Sequence, residues 1–109
     1  SNYVTVDGKD ILMDSTWEVA CAKKLDELNI KWDRGSHLVL PYVSKRGRVR
    51  KYIPDFYLIE LDMYIEVKGY WTDSARYKMK DVQEKNPVKI IFLESLKDIE
   101  NIEKHLIFE

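Results

Sequence analysis

A single cysteine, Cys21, stands in 109 residues. One thiol excludes an internal disulfide framework and a cysteine-built zinc site. It also makes a reducing compartment the default expectation. No apolar run approaches the roughly 20 residues needed to cross a bilayer, and no charged-then-apolar leader opens the chain. The expectation is therefore a cytoplasmic protein with no membrane partner. Neither sign of charge is in excess, since 18 Lys and Arg stand against 19 Asp and Glu, for a net charge of −1. That excludes nucleic-acid binding by bulk charge alone but not a local basic face. Glycine and proline are scarce, four and three, and neither a linker nor a repeat is visible. What is present is a chain 45% hydrophobic and 34% charged. It reads as one domain over 1–109, able to stand within a longer protein.

Residues 3–6 alternate, Asp7-Gly8 marks a hairpin turn, and residues 11–13 form the returning strand. Ser15-Thr16-Trp17-Glu18 has the form of a capping box. Trp17, Ala20, Cys21, Leu25 and Leu28 then recur at helical spacing, so a helix is expected to about Asn29. Strands are expected over 37–43, 49–59 and 63–67, with a turn at Lys45-Arg46-Gly47-Arg48. Gly69 stops the third strand, and Asp73 or Ser74 caps a helix that ends before Asn86-Pro87. Residues 88–93 are nearly all apolar, as in a strand covered on both faces, and a last helix runs over 96–106. The fold class expected is α/β, a mixed sheet flanked by helices in the order α-β-β-β-α-β, with a C-terminal helix and a short N-terminal hairpin.

The run Ile53-Pro54-Asp55-Phe56 through Tyr64-Ile65-Glu66-Val67-Lys68 places two acids and a lysine on strands that the core needs. Side chains alternate along a strand, so Glu66 and Lys68 share a face. A hairpin centred between Glu60 and Leu61 matches Phe56 and Leu58 with Ile65 and Val67 and sets Asp55 across from Glu66. Opposed side chains lie about 5 Å apart at Cβ. Two carboxylates that close repel, and a divalent cation relieves the repulsion; oxygen donors suit Mg²⁺, with Mn²⁺ able to substitute. Lys68 points to the same space and suits work on an attacking water or on phosphate charge.

Pro54-Asp55, ten residues, then Glu66-Val67-Lys68 resembles the motif of the PD-(D/E)XK nucleases, the restriction-endonuclease-like superfamily. The element order is similar over most of the chain. Glu18 matches the acid that many members carry on a preceding helix. Ser-Thr-Trp-Glu, Tyr-Ile-Pro-Asp-Phe-Tyr-Leu and Tyr-Ile-Glu-Val-Lys-Gly-Tyr look most like small phage-type, very-short-patch-repair-like or transposon-end endonucleases. The resemblance implies an Mg²⁺-dependent endodeoxyribonuclease. Asp55, Glu66, the Val67 carbonyl and Glu18 would hold metal, with Lys68 as the catalytic lysine. A further basic or amide residue on the next helix would be Lys78, with Gln83 behind it.

Each residue also has a plainer reading. Asp55, Glu66 and Lys68 could form a surface salt cluster, although spacing, register and topology agree against it. Glu18 is explained equally by its cap. Five of the seven residues 45–51 are basic, so Lys45, Arg46, Arg48, Arg50 and Lys51 are candidate phosphate contacts. Arg76, Lys78 and Lys80 are further candidates on a helix face that also reads as plainly solvated. Trp71 reads as packing, Trp17 and Trp32 as core, His37 and His105 as outside the chemistry, and Cys21 as buried and inert. DNA is the expected partner. With little room for a sequence-reading module, a homodimer, a further DNA-reading domain or a partner protein would supply specificity. The alternatives are a nuclease resolving four-way junctions and a catalytically silent nucleic-acid-binding domain of the same fold.

Overall fold

A computed structural model describes residues 2–34 and 39–106. Strands β1 (Asn2–Val4) and β2 (Asp10–Leu12) lead into helix α1 (Thr16–Glu27) and strand β3 (Trp32–Arg34). Strands β4 (Leu40–Val43), β5 (Val49–Tyr52), β6 (Phe56–Leu58) and β7 (Met63–Val67) follow. Helix α2 (Asp73–Lys85), strand β8 (Ile90–Leu93) and short helices α3 (Leu96–Glu100) and α4 (Ile102–His105) complete the chain. The class is a mixed sheet flanked by helices. No helix among the described residues is long and apolar enough to cross a membrane.

The main sheet runs β3-β6-β7-β8. Its first two pairings are antiparallel, and β8 joins β7 in parallel after the crossover through α2. Phe56 pairs with Ile65 and Leu58 with Met63, the register expected from matching the apolar residues. A four-residue turn closes this hairpin, with Asp62 in the left-handed region at φ 51. Alternation sends Phe56, Leu58, Met63, Ile65 and Leu93 into a core shared with Cys21, Ala22 and Leu25 of α1 and with Ile99 and Ile102 beyond β8. Tyr64 and Ile90 point the other way, into a second cluster with Met79 and Val82 of α2 and with Leu40 and Tyr52. The strand at 88–93 is thus covered on both faces, as its composition suggested.

Three expectations about strands need correction. Residues 49–59 are not one strand. Pro54 lacks an amide hydrogen and cannot serve a ladder, so β5 ends at Tyr52 and β6 starts at Phe56. Tyr52 and Phe56 would share a face in an unbroken strand, yet they sit in opposite clusters. The chain crosses from one side of the sheet to the other at Ile53-Pro54-Asp55. The strand expected over 37–43 is β4 from Leu40 onward, and among the described residues it pairs with β5 as a separate ribbon; His37 lies outside the described residues. The first strand of the main sheet is instead β3, three residues of which two are charged, which composition cannot tell from a loop.

Helix ends follow side-chain chemistry. The Glu18 amide donates to Ser15 Oγ at 3.2 Å, one half of the expected capping box. At the other end Asn29 has φ 56, and Ile30 and Asn29 donate to the Leu25 and Asp26 carbonyls at 2.9 and 3.1 Å, a Schellman closure. Thr72, rather than Asp73 or Ser74, caps α2, accepting from the Ala75 amide at 3.0 Å. The last helix breaks in two at Asn101, whose ψ is 32. The basic ribbon is pinned to α2: Asp81 accepts from the Val43 amide at 2.7 Å, and the buried Asn86 amide donates to the Pro41 carbonyl at 2.9 Å.

Candidate active site

The crossing at Pro54-Asp55 brings Asp55 to the end of the sheet where β6 begins and β7 stops. Asp55 Oδ2 accepts from the Val67 amide at 2.7 Å, so the carboxylate is held by the strand it faces. Glu66 lies one residue earlier on β7, and its Oε1 accepts from the Tyr52 hydroxyl at 2.7 Å. Both acids are half-buried. Asp55 Oδ1 and Glu66 Oε2 take no hydrogen bond from the described residues. Burial, followed by the charge of Glu66, pushes Asp55 up to about 7. Burial also raises Glu66, opposed by the Tyr52 hydrogen bond and by Lys68 and Lys78. Tyr52 itself is driven up by burial and by Glu66, so its hydroxyl keeps its proton and donates.

Glu18 reaches the same end from the first turn of α1, near enough for its charge to act on both Asp55 and Glu66. Its side chain does not return to the cap. Glu18 Oε1 accepts from Arg34 Nη1 at 2.6 Å and the residue is only 6% exposed. The cap therefore rests on the Ser15 hydroxyl and the Glu18 backbone amide, without the Glu18 carboxylate. Lys68 follows β7, its amide donating to the Leu93 carbonyl at 2.9 Å and its ammonium 5.8 Å from the Trp71 ring. Trp71 packs edge-on against Phe92, in line with its reading as a packing residue. Lys78 approaches the rings of Tyr52 and Tyr42 at 5.2 and 5.6 Å, and its charge favours ionised Glu66. Its candidacy beside the two acids thus has a spatial basis. Gln83 is exposed further along α2.

Lys45, Arg46, Arg48, Arg50 and Lys51 are all exposed on the β4–β5 ribbon, which joins the site through Tyr52. Arg76 stacks 5.7 Å from Trp71, and Lys80 is exposed. Trp17 lies against the core. Cys21 is fully buried, its thiol pushed up to about 12 by burial. His105 pairs with Asp98 at 3.5 Å, away from these groups.

Among the described residues, no three His, Cys, Asp or Glu side chains converge as a ready-made metal cage. Asp55 and Glu66 still fit a hard divalent cation. They are two oxygen donors whose charge burial penalises, each with one oxygen free. Mg²⁺ is commonly held by one or two carboxylates, with water and substrate phosphate completing its shell.

Arg34 and Tyr52 are the residues that sequence reasoning passed over. Arg34 becomes visible only once β3 is seen to pair with β6, which sets it across from Phe56. Tyr52 carried a usable signal, since it is the aromatic residue that directly follows the basic run and lies two before Pro54.

No protein-family model matches the chain, and no curated protein or solved structure does either.

Proposed function

We propose that the protein is a divalent-metal-dependent DNA endonuclease of the PD-(D/E)XK type, with a restriction-endonuclease-like core formed by α1, β3, β6, β7, α2 and β8. The observation that carries this reading is the pair Asp55, just before β6, and Glu66, on β7, near enough for the charge of Glu66 to act on Asp55 and both raised by burial, with Lys68 near enough to act on Glu66. A fold does not assemble buried like charges for stability, and such pairs concentrate where chemistry is done. The order of strands in the main sheet and the crossover through α2 agree with that core.

Asp55 and Glu66 would hold the cation, with the Val67 carbonyl adjacent. When bound, the cation supplies Lewis-acid activation of the phosphodiester and of water. The Val67 amide fixes one Asp55 oxygen and the Tyr52 hydroxyl fixes one Glu66 oxygen, so the free oxygens are already oriented. Lys68 offers a cation from the same strand end, suited to orient an attacking water or to stabilise charge on the phosphate. The basic ribbon, pinned to α2 through Asp81 and Asn86, offers exposed guanidinium and ammonium groups to a phosphate backbone.

The test is nicking and linearisation of supercoiled plasmid in Mg²⁺ or Mn²⁺, beside Asp55→Ala, Lys68→Ala and a chelator control. Cutting that needs the metal and both side chains supports the reading. Intact plasmid, and an intact four-way junction with protein bound to it, points instead to a silent binding domain.

A further inference from the structure

We infer that this end of the sheet takes a single divalent cation, at Asp55 and Glu66, and that Arg34 stands where a second cation would have to act, holding Glu18 out of the coordination shell. This deepens the metal-dependent reading above and rests on it.

Glu18 is the third acid whose charge reaches Asp55 and Glu66, and so the candidate ligand for a second ion. Its carboxylate is already bonded to Arg34 Nη1 at 2.6 Å and is more than nine-tenths buried. Arg34 is fixed from several directions. Nη1 also approaches Met13 Sδ at 3.3 Å, Nη2 lies 3.5 Å from Asp14 Oδ2, and the guanidinium carbon sits 5.3 Å from the Phe56 ring centroid. The pairing of β3 with β6 places Arg34 opposite Phe56, the neighbour of Asp55 in sequence. Register therefore sets this cation as firmly as it sets the acids.

A guanidinium does not lose its proton in a protein. It is also weakly hydrated and suits a buried ion pair better than an ammonium does. Its charge reaches Asp55 as well as Glu18. A cation bound to Glu18 would have to displace Arg34, leaving a largely buried guanidinium with the exposed Asp14 carboxylate as its remaining ion pair, or share the Glu18 carboxylate with it at close range. Either costs far more than binding at Asp55 and Glu66, where no arginine is bonded and two oxygens are free. The three acids thus divide, with Asp55 and Glu66 left for the metal and Glu18 neutralised from within. Glu18 is then a positioning residue, keeping Arg34 beside the metal ligands.

The experiment is a count of Mn²⁺ by titration calorimetry and by electron paramagnetic resonance. The full chain is titrated with and without a short non-cleavable duplex. Wild type should bind one equivalent in both conditions, and Asp55→Asn should lose it. Glu18→Gln should keep the one equivalent, while Arg34→Gln should admit a second. Two equivalents in wild type would overturn the inference. So would loss of the equivalent in Glu18→Gln, which would make Glu18 a direct ligand. If Arg34→Gln does not fold, the wild-type and Glu18→Gln counts still decide. A single ion that survives Asp55→Asn brings down the parent reading of Asp55 and Glu66, and the inference with it. That outcome differs from two ions in wild type, which brings down the inference alone.

Discussion

The two ends of the sheet's interior are built on opposite terms. Beneath α1, the cluster of Cys21, Leu25, Phe56, Leu58, Ile65 and Leu93 contains apolar side chains only. Where β7 runs out, within a few residues of the same strands, Asp55 and Glu66 lie within reach of the charges of Glu18, Arg34, Lys68 and Lys78, and Glu66 takes the Tyr52 hydroxyl. The apolar end gains stability from every group it buries. The charged end buries groups that oppose folding unless something arrives to neutralise them. One short strand pair serves both, because alternation and the Pro54 crossing let neighbouring residues face different surroundings. Stability and chemistry are therefore separable by mutation over a distance of one or two residues.

Substitutions on each side should move one property and spare the other. The largest effect belongs to the charged end. Lys68→Ala should lower plasmid cleavage by about 10²–10³-fold, the loss typical when a preorganised charge-stabilising group is removed, with thermal melting nearly unchanged. Equal loss of cleavage and of melting temperature would erase the distinction. On the apolar end, Ile65→Ala should cost about 2–5 kcal/mol in denaturant unfolding, as truncated core side chains do. Cleavage per folded molecule should survive under conditions that keep the variant folded, and its loss would show that the site needs the core's packing as well.

A third test uses pH. The folded-state value of Asp55 is raised above its unfolded one, to about 7. Between the two values the folded protein holds the extra proton, so stability falls as pH rises through that window and levels off beyond it. The metal-free protein should melt at lower temperature above this window than below it. Asp55→Asn, which keeps an acceptor for the Val67 amide, should flatten the slope, and Mg²⁺ should restore the melting temperature at the high-pH end. A flat wild-type profile would mean that Asp55 is not burdened by burial. The smallest effect concerns the ribbon. Arg48→Glu with Arg50→Glu should weaken duplex binding. The slope of log affinity against log salt should shrink by about 0.9 for each phosphate that the ribbon no longer neutralises. An unchanged slope would place DNA elsewhere.

Much of this arrangement was legible in the chain. Period-two apolar residues in Phe56–Leu58 and Met63–Val67 determine how the two strands pair, because a one-residue slip would expose the core face. The turns at Gly8 and Gly47, with φ of 85 and 82, were marked by glycines that tolerate that backbone. What escaped depends on distant pairing. β3 is three residues long, and only its partner β6 makes it a strand. Arg34 has no periodic signal, and its purpose exists only after β3, β6 and α1 have met. The face change at Pro54 was hidden because Tyr52, Pro54, Phe56 and Leu58 are all buried at alternate positions, a pattern that an unbroken strand would also give.

Gly69 shows how tightly the spacing at this end is gauged. A Cβ there would lie 2.6 Å from the indole ring of Trp17, inside any permissible contact. Trp17 immediately precedes Glu18 and Gly69 immediately follows Lys68. The missing methyl group therefore acts as a shim of zero thickness between the first turn of α1 and the exit of β7. It sets how closely that turn and that exit can approach, and even alanine at this position would force the Trp17 ring or one of the two elements to move.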